Sequence, residues 1–334
     1  MTVDLDERGR LRLPGDRRTV PGHRIAEHLA EHVRIPDRVT DLYVYVHGWQ
    51  TAPATAQRQA ASLLSKARQL HSAHLDRYPQ LARGYRPAAV VVRWPSSSLS
   101  SLGGYRRIRD RAHAMSAPAQ GHAPHVLAHL LGYLDTQRPD PAAPPVLANR
   151  DGQYIHLVGH SFGGRFLCEA VQWAAEPDTP RVLGWSTPLT PGRPFSVDSM
   201  VIFQMAAPRD AFDRLFPYLF PSGGKSNAPL RGPLVLTHSR WDRATGFWHL
   251  RAEGSAGIGH SGAAAAPVPQ FHTRLLPMHE PYPLSKLDHR LINVDASVRF
   301  RGSARSRLAP AGAHSDFDHP ESAHLLLSLA ALSR

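Results

Sequence analysis

One short stretch, residues 154–164, constrains the fold of this chain more than any other. It reads Tyr-Ile-His-Leu-Val-Gly-His-Ser-Phe-Gly-Gly, an apolar run followed by Gly-x-Ser-x-Gly and a helix-like segment. The pattern is typical of a strand that turns sharply into a helix and lifts Ser161 above the edge of a sheet. Gly159 and Gly163 flank the turn, where a Cβ would collide with backbone, and Gly164 lets helix and strand pack closely. The stretch predicts a nucleophilic serine; the alternative is a glycine-rich turn with an incidental serine.

Short apolar segments alternate with helix-like segments along most of the chain. Those with strand character lie at residues 42–46, 88–94, 154–158, 200–205, 234–239 and 291–294. Helical spacing of apolar residues occurs at residues 55–74, within 116–134, after residue 161 and around 325–327. Strands that alternate with helices join through right-handed crossovers into a parallel sheet. We therefore expect an α/β fold with a mostly parallel central sheet flanked by helices.

Nothing in the composition divides the chain convincingly into two domains. Its 334 residues are enough to bury a sizeable core. We expect residues 1–40 to form an N-terminal extension or edge elements, and residues 41–334 to form the main domain. Residues 251–287 interrupt the alternation, because they are rich in Gly, Ala, Pro and His and have no clear period. We interpret this segment as a long surface loop or a cap-like insertion.

The chain is basic, with 39 Lys and Arg residues against 27 Asp and Glu residues and a formal net charge of +12. Such a charge can favour anionic partners. However, the basic residues are scattered, and the one dense run, residues 106–111, accompanies no nucleic-acid-binding motif. We therefore expect no nucleic-acid partner.

The sole cysteine and the hydropathy pattern restrict the setting of the protein. Cys168 is the only cysteine, which excludes an intrachain disulfide and a cysteine-based metal cluster. The N-terminal residues are charged and contain no apolar signal segment. No apolar run reaches the length of a membrane span. We expect a cytoplasmic protein with no transmembrane segment.

Two aspartates are candidates for the acid that would support a catalytic serine. A serine hydroxyl needs an imidazole to accept its proton, and the imidazole needs a carboxylate to fix its tautomer. Behind a turn of this type, the acid and then the base follow in chain order on loops after strands. Asp242 follows the predicted strand at 234–239 and is favoured. Asp210, after the strand at 200–205, is the alternative, and either residue could instead be a solvated carboxylate or a helix cap.

The base must be chosen among 21 histidines, most of which must have surface or packing roles. His314 is favoured because it lies in a loop after the last predicted strand and before the last predicted helix. His319 has the same setting, but it directly precedes Pro320 and is therefore tied to the start of that helix.

An oxyanion hole needs two backbone donors. Phe162, directly after the serine, supplies one N–H by its position in the turn. The loop after the strand at 42–46 reads His-Gly-Trp-Gln and is the expected source of the other. There Gly48 permits an unusual backbone turn, the N–H of Trp49 is the favoured donor, and that of Gln50 is the second choice. Trp49 could alternatively be a hydrophobic lid residue, and the two roles are compatible.

Together these motifs resemble the α/β-hydrolase superfamily over residues 42–329, and more narrowly bacterial serine hydrolases with a Val-His-Gly-aromatic loop. The resemblance is carried by His47-Gly48-Trp49, Trp94-Pro95-Ser96, Gly159-His160-Ser161-Phe162-Gly163-Gly164, Ser239-Arg240-Trp241-Asp242 and His314. It implies a mostly parallel sheet of about eight strands and acyl-ester chemistry that needs no metal or organic cofactor. It also implies roles for five residues: nucleophile Ser161, acid Asp242, base His314, and oxyanion donors Trp49 and Phe162. The chain departs from the family pattern in the long segment between Asp242 and His314 and in an N-terminal part without clear strands.

The leading hypothesis is an esterase- or lipase-like serine hydrolase that acts on a small-molecule or lipid-like acyl substrate. A thioesterase or an acyltransferase would use the same three residues. A hypothesis of another class is a non-catalytic binding protein of the same fold for an anionic partner. A metal site is disfavoured, because the spacings of the histidines in and near residues 251–287 match no compact ligand motif and predict loop residues. These histidines are His249, His260, His272 and His279.

Overall fold

Within the residues that the structure describes, eight strands pair in parallel to form one sheet at the centre of the protein. The computed structural model describes residues 1–117, 120–136, 153–174, 195, 197–220, 230–303 and 311–334. The strands are β1 (Thr2–Asp4), β2 (Asp41–Val46), β3 (Pro87–Arg93), β4 (Tyr154–His160), β5 (Ser199–Phe203), β6 (Leu234–His238), β7 (Gln270–Arg274) and β8 (Leu291–Asp295). Their order across the sheet is β1-β3-β2-β4-β5-β6-β8-β7. The predicted α/β class with a mostly parallel sheet is confirmed.

Helices cover both faces of this sheet. They are α1 (Ile25–His32), α2 (Pro53–Ala73), α3 (Leu102–Ser116), α4 (Ala123–Thr136), α5 (Phe162–Ala174), α6 (Ala211–Arg214), α7 (His249–Glu253), α8 (Ile258–Ser261), α9 (Leu284–Leu287) and α10 (Pro320–Leu332). Alternate residues of β2 point to opposite faces: Leu42 and Val44 share an apolar cluster with α1, α3, α4 and α5, whereas Tyr43 and Tyr45 share one with α2 and α10. No helix within the described ranges is both long and apolar enough to cross a membrane.

Residues 251–287 are not the continuous surface loop that their composition predicts. They contain the short helices α8 and α9 and the strand β7, which forms one edge of the sheet and pairs with β8. This strand reads Gln-Phe-His-Thr-Arg, and its residues are half-buried or exposed. An edge strand of this kind carries no buried apolar run, so the pattern that identified the central strands is missing from it.

Strand β1 and helix α3 were not among the segments that periodicity predicted. Within the N-terminal segment 1–40, β1 pairs with β3 and forms the other edge strand. Helix α3 carries the basic run 106–111, whose charges hide the helical spacing of its buried face. The helix predicted within 116–134 is α4, and the one predicted at 55–74 is α2.

The strand order gathers several chain segments at one end of the sheet. The strands β2, β4, β5, β6 and β8 are consecutive neighbours. Because all of them are parallel, the loops that leave their carboxyl ends emerge side by side. These loops include residues 47–50, Ser161, Gln204 and Asp242, and the segment leading to His314 follows β8. The topology therefore brings to one edge the residues that the sequence analysis singled out.

At the opposite end, a buried carboxylate fixes the beginnings of two of these strands. Nη1 and Nη2 of Arg334 donate to Asp41 Oδ1 and Oδ2 at 3.0 and 2.8 Å. His156 Nε2, on β4, lies 3.1 Å from Asp41 Oδ1. Burial acts to raise the pKa of Asp41, but hydrogen bonds from His156 and Arg334 outweigh burial and hold the pKa below its ordinary value. The starts of β2 and β4 are thereby tied to the chain that follows α10.

Replacing Asp41 by Asn should lower the free energy of unfolding by about 3–5 kcal/mol, because the largely buried guanidinium of Arg334 would lose its counter-charge. Urea unfolding near neutral pH measures this loss. The matched control is Asp210→Asn, which breaks a pair with Arg214 whose side chains are 40% and 68% exposed. The control should cost about 0–1 kcal/mol. Equal losses in the two variants would contradict the role given to Asp41.

Candidate active site

Ser161 lies on a turn with a left-handed backbone between β4 and α5. Its φ is 56°, a conformation that residues other than glycine seldom adopt. The N–H of Ser161 donates to Phe203 O at 2.9 Å and ties the turn to β5. A Cβ added at Gly163 would lie 2.2 Å from His47 O, so only glycine allows α5 to approach the loop after β2. The serine hydroxyl is thus held at the N-terminus of a helix.

His314 contacts both Ser161 and Asp242, so the structure brings the three favoured residues together. Ser161 Oγ lies 2.6 Å from His314 Nε2, and His314 Nδ1 lies 2.8 Å from Asp242 Oδ2. Because an ionised carboxylate only accepts hydrogen bonds, His314 carries its proton on Nδ1 and accepts the hydroxyl of Ser161 at Nε2. Ser161 is 1% exposed, His314 is 6% exposed and Asp242 is 0% exposed. Their contacts are therefore shielded from water.

Both carboxylate oxygens of Asp242 have further donors. The N–H of Thr245 donates to Oδ1 at 3.0 Å, and Nε2 of Gln204 donates to Oδ2 at 3.3 Å. Burial acts to raise the pKa of Asp242, but the charge and hydrogen bond of His314 and the amide of Thr245 outweigh burial and hold the pKa below its ordinary value. The carboxylate is ionised near neutral pH and can stabilise a cationic imidazole beside it.

The two alternative residues have other partners. Asp210 forms a salt bridge with Arg214 at 2.9 Å. His319 Nε2 lies 2.9 Å from Asp316 Oδ1. Within the ranges that the structure describes, Asp210 does not hydrogen-bond to His314, and His319 does not hydrogen-bond to Ser161. The geometry therefore favours Asp242 as the acid and His314 as the base.

The loop after β2 lies directly against the serine turn. A Cβ added at Gly48 would lie 2.7 Å from His160 Nδ1 and 2.9 Å from Ser161 Cβ. Gly48 is thus required by this close approach. The unusual backbone turn that the sequence predicts at Gly48 is not found at this residue. The left-handed residue is instead Gln50, with a φ of 56°, and its N–H donates to Ser96 O at 3.0 Å.

Two backbone N–H groups at this junction are free to bind a ligand. In the described part of the chain, neither the N–H of Trp49 nor that of Phe162 donates to another protein group. The N–H of Gln50, the second choice, is already occupied. Phe162 is the first residue of α5, where the helix dipole favours negative charge. Trp49 and Phe162 therefore remain the candidate oxyanion donors.

His47 shapes the same loop from the inside. Its Nδ1 donates to Gly48 O at 3.0 Å, and its Nε2 accepts the N–H of Trp94 at 3.3 Å. The indole of Trp94 donates to His47 O at 2.7 Å. Burial lowers the pKa of His47 to about 4, so the ring is neutral and can act as an acceptor. The His-Gly pair that drew attention in the sequence is a structural part of the loop.

Two buried side chains that the sequence analysis did not single out reach the chain around His314. We define residues 311–317 as the base loop. His160 Nε2 donates to His314 O at 2.8 Å, and Gln204 Nε2 donates to Ala313 O at 3.0 Å. Gln204 could have been noticed as a polar residue in the apolar run 200–205, and His160 as the neighbour of Ser161. Neither signal identifies a partner so far away in the chain.

A set of histidine and carboxylate side chains that could together bind a metal ion lies on α1, far in sequence from Ser161, and does not include the histidines near residues 251–287. His249 and His260 each direct Nδ1 at a backbone carbonyl, at 2.9 and 3.1 Å. Within the described ranges, a set of three such side chains with ligand atoms within 4.8 Å of one another occurs on α1, at His28, Glu31 and His32. Two imidazoles and a carboxylate are ligands suited to zinc.

Comparison with known proteins assigns no family to this chain. No family model matches the chain, and no curated protein matches its sequence. Among solved structures, the chain is similar to TT1662 from Thermus thermophilus, with 13% sequence identity and a TM-score of 0.37 over 89% of this chain and 90% of that one. Similarity at this level carries no information about activity, which has to be inferred from the geometry of the site.

Replacing Gly163 by Ala should lower the free energy of unfolding by about 1–3 kcal/mol, because the new methyl group would meet backbone atoms that cannot move aside. The matched control is Gly103→Ala in α3, where the nearest atom to an added Cβ is 4.0 Å away. That variant should be neutral or more stable by up to about 1 kcal/mol. Urea unfolding compares the two, and a similar response in both would argue against the close packing of the turn.

The pH dependence of stability should reveal the neutral state of His160. Burial, with a smaller effect from neighbouring His314, lowers the pKa of His160 to about 3, against about 6.5 in an unfolded chain. Between these values the unfolded chain binds a proton that the folded protein does not, so stability falls as the pH is lowered, at about 1.4 kcal/mol per pH unit. His160→Gln removes this contribution. Urea unfolding between pH 6 and 4 should show a shallower decline for the variant, and parallel curves would contradict the assignment.

Proposed function

We propose that this protein is a serine hydrolase of the α/β-hydrolase type that cleaves carboxylic esters through an acyl-enzyme on Ser161. The observation that carries the proposal is the continuous hydrogen-bonded chain from Ser161 Oγ to His314 at 2.6 Å and from His314 to Asp242 at 2.8 Å. A serine hydroxyl bonded to a neutral imidazole, whose other nitrogen faces a buried carboxylate, is activated for nucleophilic attack. The free N–H groups of Trp49 and Phe162 add support, because they lie on the two segments that meet beside the serine.

In the first half of the reaction, Ser161 Oγ forms a bond to the acyl carbon while its proton moves to His314 Nε2. The negative charge that develops on the carbonyl oxygen accepts hydrogen bonds from the N–H groups of Trp49 and Phe162. Asp242 stabilises the cationic imidazole through Nδ1–H. The bond from the acyl carbon to the alcohol oxygen then breaks, and the alcohol leaves with the proton from Nε2.

In the second half, water replaces the alcohol and the same groups act in reverse. His314 Nε2 accepts a proton from the water as its oxygen bonds to the acyl carbon. The bond to Ser161 Oγ breaks, Oγ regains its proton from Nε2, and the carboxylic acid is released. Each step uses side chains and backbone of this chain, so the proposal requires no metal or organic cofactor.

A small-molecule or lipid-like acyl ester is the expected substrate. Asp242 is followed by a π-helical turn, Ala244–Trp248, in which Phe247 is 42% exposed, and α7 presents Leu250 at 49% exposure. Exposed apolar side chains so close in sequence to the acid suit an apolar acyl group. We assign residues 41–334 to the hydrolase domain, with 251–287 as a cap-like insertion that includes β7, and residues 1–40 to edge elements.

The same residues would serve a thioesterase or an acyltransferase, which differ from an esterase in the leaving group or the acceptor. A non-catalytic anion-binding protein would need free positive charge. In the dense basic run of α3, however, Arg109 is paired with Asp110 at 2.8 Å and Glu253 at 3.1 Å, and Arg111 donates to a backbone carbonyl at 2.9 Å. The ion pairs of Arg109 offset part of the positive charge of this run, which weighs against the binding-protein alternative.

The proposal predicts turnover of short p-nitrophenyl esters by the wild-type protein. Ser161→Ala should reduce kcat by about a million-fold, and Asp242→Asn by about ten-thousand-fold, because the amide would favour the wrong tautomer of His314. Asp210→Asn, at the alternative acid, is the matched control and should retain full activity. Parallel assays with acyl-CoA rank thioester against ester substrates.

Full activity in Ser161→Ala would contradict the proposal, as would a loss of kcat in Asp210→Asn equal to the loss in Asp242→Asn. A wild-type protein that turns over neither esters nor acyl-CoA, yet binds an anionic polymer in a salt-sensitive manner, would favour the binding-protein alternative.

A further inference from the structure

On the basis of the hydrolase function above, we propose that His160 and Gln204 are positioning residues that hold the base loop, and with it His314, in register with Ser161. Both are uncharged hydrogen-bond donors with almost no exposed surface, at 1% and 0%. They leave the carboxyl ends of the adjacent strands β4 and β5, and they bind consecutive carbonyls of the base loop.

The base loop needs external support because it consists of turns and contains no helix or regular strand. Its backbone is linked to the acid-bearing loop through Ala313 N–H, which donates to Trp241 O at 3.0 Å, and through an isolated bridge between Gly312 and Asp242. These bonds fix the loop relative to Asp242. Neither fixes it relative to Ser161, whose distance to His314 decides whether a proton can pass.

His160 provides that second link. A carbonyl oxygen has no proton, so His160 must carry its proton on Nε2 to donate to His314 O at 2.8 Å. Its ring also lies 4.6 Å from that of Phe317 and 5.0 Å from that of His314. Because His160 directly precedes Ser161, a displacement of the serine turn would carry the base loop with it.

The other nitrogen of His160 indicates that this residue is kept for its donor. His160 Nδ1 is buried, and none of the residues that the structure describes hydrogen-bonds to it; an unpaired buried acceptor costs stability that an apolar ring would avoid. Phenylalanine would fill the same space against Phe317 without that cost. The uncharged ring also leaves the cation that forms on His314 during catalysis without a repelling neighbour.

Gln204 links the base loop to the acid. Its Nε2 donates to Ala313 O at 3.0 Å and to Asp242 Oδ2 at 3.3 Å, so both N–H bonds of the amide are used. Asp242 Oδ2 is also the oxygen that accepts His314 Nδ1–H. Gln204 holds a left-handed backbone with a φ of 49°, and its Oε1 is buried without a partner in the described part of the chain. A glutamate at this position has no donors and would place a second carboxylate against Asp242.

The test for His160 compares two variants in the same ester assay. His160→Phe keeps the packing and removes the donor, so kcat should fall about 10- to 100-fold with KM within about twofold, as expected for a catalytic group displaced by a fraction of an ångström to one ångström. His160→Gln restores a donor near the position of Nε2 and should recover most of the lost kcat. Unchanged kcat in His160→Phe, or no recovery in a folded His160→Gln, would overturn the role.

The test for Gln204 adds a readout that does not depend on activity. Gln204→Glu and Gln204→Met should both lower kcat, with the larger loss in Gln204→Glu. The matched control is Gln172→Glu, since Gln172 is a buried glutamine that donates to Leu215 O at 2.9 Å away from the base loop, and its kcat should stay unchanged. Amide hydrogen exchange of peptides covering residues 311–317 should quicken in His160→Phe and Gln204→Met and not in the control.

The two measurements separate the failure of this proposal from the failure of the hydrolase function. If the wild-type protein shows no turnover, the catalytic function is contradicted. Faster amide hydrogen exchange of residues 311–317 in the variants would then still support the role of His160 and Gln204 in holding the base loop. An active wild-type protein whose variants keep both kcat and exchange unchanged shows that His160 and Gln204 do not position the base.

Discussion

The site depends on the left-handed backbone of Ser161, a conformation that costs about 1–3 kcal/mol at a non-glycine residue. The surrounding structure imposes it: the N–H of Ser161 is bound by β5, and the loop after β2 leaves no room beside Gly163. Because β4 lies between β2 and β5, the serine turn has the candidate oxyanion loop on one side and Gln204 on the other. The arrangement around the hydroxyl thus follows from strand order together with one strained residue.

Several features at this end of the sheet lower stability and are consistent with the proposed hydrolase function. Among the described residues, His160 Nδ1 and Gln204 Oε1 are buried without hydrogen-bond partners, and Ser161, Gln50 and Gln204 hold positive φ values. Unpaired buried polar atoms and strained backbone are uncommon in protein interiors and concentrate where geometry serves a reaction. At the opposite end, Asp41 is fully paired by Arg334 and His156. Of the four non-glycine residues with a positive φ in the described ranges, three lie at the carboxyl ends of the strands and the fourth, Arg38, lies at the opposite end before β2.

Sequence periodicity predicted the central strands well, because strands buried on both faces are continuous apolar runs. It missed the edge strands β1 and β7, which are short or half-exposed, and α3, whose charges mask its buried face. For the site, the pattern around Ser161 predicted the turn, because the glycines there are required by close contacts within the same short segment and with its neighbours. The choice between Asp242 and Asp210 needed the structure, because both follow a strand. The contacts of His160 and Gln204 with the base loop join distant parts of the chain, and no local pattern records them.

The central claim is that Ser161 is a nucleophile activated by His314, and covalent labelling with a fluorophosphonate tests it most directly. Intact-protein mass spectrometry should show one adduct per chain, and peptide mapping should place it on Ser161. Labelling should disappear in Ser161→Ala and slow greatly in His314→Ala, while Ser333→Ala, at a serine that donates to Leu329 O at 3.0 Å at the end of α10, should label normally. No adduct on the folded wild-type protein, or an adduct that persists in Ser161→Ala, would contradict the account.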